Sequence, residues 1–112
     1  MNVAKEILAQ LGGNKFCAMT GAKQFVGTAN ELRFKLPGGG GFATSGINYV
    51  VVRLEASDTY TVEFYRVRAM KMTLVSKHQD VYNDALQSVF TMATGLYTNL
   101  GKIVINGGQL SA

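Results

Sequence analysis

Residues 47–68 constrain the fold more than any other part of the chain. Ile47-Asn48-Tyr49-Val50-Val51-Val52-Arg53-Leu54-Glu55 and Thr59-Tyr60-Thr61-Val62-Glu63-Phe64-Tyr65-Arg66-Val67-Arg68 flank the short cluster Ala56-Ser57-Asp58. β-Branched and aromatic side chains suit a pleated surface, and the small polar cluster between them supplies a turn, so the segment reads as a β-hairpin. Side chains alternate along a strand. Val50, Val52 and Leu54 therefore share one face with Tyr60, Val62 and Phe64, and Tyr49, Arg53 and Tyr65 share the other. The first set is core; the second is a contact surface.

A sheet with one apolar face needs a cover, and the chain ends supply it. Val3, Ile7, Leu8 and Leu11 recur at helical spacing behind Asn2 as N-cap, with Gly12-Gly13 as the stop. Val81, Tyr82, Ala85, Leu86, Val89, Phe90 and Ala93 form a broader apolar stripe, for which Asp80 is the expected N-cap and Gly95 the stop. Phe16, Ala18 and Phe25-Val26 around Thr20-Gly21-Ala22-Lys23 read as strand, as does the alternating run Glu31-Leu32-Arg33-Phe34-Lys35-Leu36. Residues 69–77 fit either a continued strand or an irregular connection. Pro37 and the four glycines after it make residues 37–46 a flexible loop carrying Phe42, residues 102–108 suit a short closing strand, and residues 109–112 a frayed tail. The expected fold is α+β: about four antiparallel strands, with a short N-terminal helix and a C-terminal helix packed on one face.

The length of 112 residues, 47% of them hydrophobic, allows one core and one domain spanning 1–112. Cys17 is the sole cysteine, which excludes an intrachain disulfide and fits a reducing, cytoplasmic setting. No apolar run is long enough to span a bilayer, so no membrane partner is expected. Gly21-Ala22-Lys23 lacks the further glycines, the Lys-Ser/Thr pair and the helix of a phosphate loop, and the four-glycine run lacks the spacing of a dinucleotide fingerprint. His78, the one histidine, reads as a surface residue before a helix cap, and no triad, carboxylate pair or metal shell surrounds it. A non-enzymatic protein without cofactor or metal is expected.

The chemistry that remains lies on the sheet. Glu31, Arg33 and Lys35 project opposite to Leu32, Phe34 and Leu36 and join Tyr49, Val51, Arg53, Glu63 and Tyr65. Lysine and arginine pair with phosphates while unstacked bases lie on aromatic rings, so Arg33, Lys35, Tyr49, Arg53 and Tyr65 are the candidate contacts for single-stranded nucleic acid. The net charge of +4 agrees with a polyanionic partner. The same side chains also occupy ordinary solvated antiparallel faces. Two functions stay open: a nucleic-acid-binding protein, expected as a homodimer and preferring single strands, or a small protein-binding inhibitor or adaptor. The second is of the type that phages and other mobile elements carry against nucleic-acid-handling complexes. The helix, sheet, helix order resembles small single-stranded DNA-binding folds in architecture alone, which carries no residue assignment.

Overall fold

The computed structural model describes residues 2–37, 43–96 and 98. Helix α1 (Val3–Leu11) starts where the Asn2 side chain accepts from the Lys5 N–H at 3.0 Å. It stops at Gly12, whose φ of +127° breaks the helical path. The stop is brief, because the chain re-enters a helix at once as α2 (Gly13–Thr20). This corrects the strand expected around Phe16 and Ala18. Phe16 and Thr20, four residues apart, fall on one buried face of α2. The Thr20 hydroxyl donates to the Phe16 carbonyl at 2.7 Å and accepts from Ala22 N–H at 3.2 Å, and Gly21 turns left-handed to close the helix.

Five strands follow in the spatial order β1-β2-β3-β4-β5, every neighbouring pair antiparallel: β1 (Lys23–Gly27), β2 (Glu31–Lys35), β3 (Tyr49–Leu54), β4 (Tyr60–Arg68) and β5 (Lys71–Val81). In the β3–β4 hairpin Val50 faces Phe64, Val52 faces Val62 and Leu54 faces Tyr60. Tyr49 faces Tyr65 on the other side, so this register is the one that alternation predicts. The fifth strand comes from the segment whose type the sequence left open, joined to β4 by a two-residue turn at Ala69 and Met70, both at positive φ. Asp80 is not a helix cap. It lies within β5 at φ +57°, at an irregularity of the β4–β5 ladder, and Val81 beyond it is buried as a strand residue opposite Tyr60. A 3₁₀ turn at Asn83–Ala85 intervenes before α3 (Leu86–Thr94), which has no side-chain N-cap and ends, as expected, on a left-handed Gly95. His78 likewise sits in β5, half-buried, its ring edge-on to Phe64 at 5.7 Å, and not on the surface before a cap.

All three helices contribute to a single apolar layer on one side of the sheet. Ile7, Leu11, Phe16, Leu86 and Phe90 pack with Leu32, Phe34, Val50, Val52, Val62 and Phe64. Phe16 stands edge-on to both Phe34 (5.4 Å) and Phe90 (5.0 Å), a geometry that places positive ring edges on negative ring faces. At the sheet margin α1 rides so close over β1 that a Cβ on Gly27 would come within 2.6 Å of Ala4 Cβ. The glycines at 38–41, Phe42, the expected strand at 102–108 and the tail at 109–112 lie outside the described residues, and Thr44–Gly46 form a 3₁₀ turn.

Candidate functional site

The opposite face of the sheet carries no helix among the described residues, and its register places side chains in rows across the strands. One row reads Lys23, Lys35, Tyr49, Tyr65, Leu74, each a register partner of the next. At the usual strand spacing of about 4.8 Å this row is about 19 Å long. The next reads Val26, Arg33, Val51, Glu63, Lys77, and the third begins Glu31, Arg53, Thr61. All five residues singled out from the sequence, Arg33, Lys35, Tyr49, Arg53 and Tyr65, therefore share this face. Lys23 joins them. A bulge in β1, with Gln24 at φ +57°, shifts the register so that Lys23 lies directly opposite Lys35. Like charges facing each other across two strands repel, and neither lysine has an acidic partner among the described residues.

The arginines are differently placed. Glu31 is nearly buried and accepts from Arg33 Nε at 3.0 Å and from Arg53 Nε at 2.7 Å. Arg53 also reaches Glu63 at 3.5 Å and Glu55 at 3.9 Å, and Lys77 reaches Glu63 at 3.9 Å. The Tyr65 hydroxyl donates to Glu63 at 2.9 Å. The hydrogen bond from Arg53 holds the Glu31 carboxyl below the ordinary carboxylate range against the opposing effect of burial, and the same bond raises Arg53. Glu31, then Tyr49, raises Arg33, while burial followed by the bond to Glu63 raises the Tyr65 phenol. Arg53 is thus the hub of an internal network. Arg33 keeps its exposed side, and Lys35 and Lys23 are exposed.

Tyr49 and Tyr65 meet with ring centroids 6.4 Å apart. Beside them opens a cavity of about 360 Å³ lined by Arg33, Lys35, Tyr49, Val67 and Met72. Val67, Met72 and Leu74 are exposed on this side, so the row of cations and rings grades into an apolar strip towards the β4–β5 turn. The charge of that hairpin is one-sided. Residues 64–79 contain Arg66, Arg68, Lys71 and Lys77 and no Asp or Glu, so the remaining seven cations balance the seven acids and the whole net charge belongs to this segment. The acid-free stretch is plain in the sequence and marks the hairpin that residue patterning left unassigned.

Among the described residues no three His, Cys, Asp or Glu side chains are placed to hold a metal, and no helix is long and apolar enough to cross a membrane. No known family matches the sequence, and neither a curated protein nor a solved structure shows significant similarity to it.

Proposed function

We propose that the protein binds nucleic acid without enzymatic activity, taking single strands in preference to duplex across the helix-free face. The opposed, unneutralised pair Lys23 and Lys35 next to the Tyr49–Tyr65 ring pair carries this reading. A phosphate between the two lysines would relieve their repulsion, and a base leaving the stack would find a ring within one strand spacing. Arg33 adds a second cation at the cavity rim. Arg53 acts by holding Glu31 and Glu63 in place more than by gripping phosphate. The exposed strip of Val67, Met72 and Leu74 favours a second reading, in which this face docks a nucleic-acid-handling protein.

Anisotropy titrations of a labelled single-stranded oligonucleotide separate the two. Lys23→Gln and Lys35→Gln should each weaken binding while leaving the melting temperature equal or slightly higher, because each removes a repulsion worth about 0.2–1 kcal/mol. Tyr65→Ala should weaken binding by about 1–3 kcal/mol without changing its salt dependence. Wild-type affinity in all three variants would favour the protein-docking reading.

A further inference from the structure

The β4–β5 turn has a shape and charge that the outer face does not account for. Residues 67–72 are exposed without interruption, so the end of the hairpin stands clear of the core, and Met70 at its tip is fully exposed. Ala69 and Met70 form the turn at φ +49° and +65°, where two-residue hairpins favour Asn and Gly and where a side chain is accommodated at a cost. A thioether is thus held in water at the apex of a strained turn. The two sides of the hairpin differ. Val67 pairs with Met72 and Tyr65 with Leu74, continuing the face that carries Tyr49. Arg68 pairs with Lys71 and Arg66 with Thr73, which puts Arg66, Arg68 and Lys71 on the reverse side. There Arg66 donates to the Ser45 carbonyl at 3.2 Å, and none of the three has an acidic partner among the described residues. A sheet layer about 10 Å thick separates the sides, so one strand lying along Tyr49 and Tyr65 leaves these cations unused.

We infer that this hairpin is a wedge for a fork, the junction where duplex opens into single strands. One strand lays its bases on Tyr49 and Tyr65 beside Val67 and Met72. The other passes behind, its phosphates on Arg66, Arg68 and Lys71, and Met70 packs against the last base pair, as apolar side chains do when they part a base step. The inference rests on the single-strand reading of the outer face.

Its test compares a single strand, a blunt duplex and a forked duplex with arms of the same sequence, with 2-aminopurine in the last pair of the fork. The fork should bind about ten-fold more tightly than the single strand at low salt, with a log–log salt slope steeper by about 2.1 for three further phosphates on the second single-stranded arm. Combined Arg66→Gln, Arg68→Gln and Lys71→Gln should remove that increment and leave single-strand binding. Met70→Ala should keep the slope and lose the brightening of 2-aminopurine on unstacking. A fork bound no more tightly than its single strand overturns the wedge alone. Absence of binding to both, or tip-dependent binding to vesicles containing phosphatidylserine in place of DNA, overturns the wedge together with the reading beneath it.

Discussion

Replacing Glu31 by Gln should make the protein less stable and a better nucleic-acid binder at once. The carboxylate is nearly buried and accepts one charge-assisted hydrogen bond from Arg33 and a shorter one from Arg53. Such bonds contribute about 1.5–3 kcal/mol each against about 0.5–1.5 for neutral ones. The arginine side chains are 41% and 27% exposed, so water recovers part of the difference, and a net loss of about 1–2 kcal/mol is expected. At this chain length that lowers the melting temperature by about 4–8 °C. The pH dependence follows from the depressed carboxyl. A group whose folded-state pKa lies below its unfolded value stabilises fully above the unfolded value, here ordinarily 4.5, and loses that contribution as pH falls through the folded value. Denaturant melts of wild type and Glu31→Gln should therefore differ by a constant amount from pH 7 to about 5 and converge in more acid solution. Oligonucleotide affinity should rise, because Arg33 loses its acidic partner, Arg53 keeps only its longer contacts to Glu63 and Glu55, and one negative charge is lost from the face. A variant as stable as wild type, or a stability gap unchanged to pH 3, would falsify the network as described.

Two packing predictions complement it. Phe90→Ala empties the point where the Phe16, Phe34 and Phe64 rings converge and should cost about 3–5 kcal/mol in a chemical denaturation curve; a thermally silent variant would contradict the helix-on-sheet core. Gly27→Ala should cost about 1–3 kcal/mol through its encounter with Ala4. In a double-mutant cycle with Ala4→Gly the penalties should be less than additive, and strict additivity would mean that α1 does not ride on β1 at that point.

Which features the sequence disclosed follows from how local their signals are. The β3–β4 register was legible because two alternating runs and one turn cluster leave a single arrangement that buries Val50, Val52, Val62 and Phe64 together. Helix α2 was missed because its eight residues start on a glycine and carry a weak apolar stripe. A signal existed nonetheless: Phe16-Cys17-Ala18-Met19-Thr20-Gly21 parallels Phe90-Thr91-Met92-Ala93-Thr94-Gly95. In both, the threonine hydroxyl donates to the phenylalanine carbonyl at 2.7 Å before a left-handed glycine. Strand β5 went unassigned because Ala69-Met70 is a turn without turn residues, so nothing in the chain marks where β4 ends. The outer face was legible by alternation, but not its wiring. That Arg53 bonds Glu31, twenty-two residues away, depends on pairing across strands, and Lys23 reaches the face only through the β1 bulge.

The proposed function requires the helix-free face to grip phosphates. Lys23, Lys35, Arg33 and Lys77, all on that face, would give about four contacts to a single strand, each contributing about −0.7 to the slope of log affinity against log salt. The direct measurement is that slope, from anisotropy titrations of an unstructured oligonucleotide at rising salt. A value near −3 is the predicted result. A flat response, or no binding at the lowest salt, would contradict phosphate binding by this face.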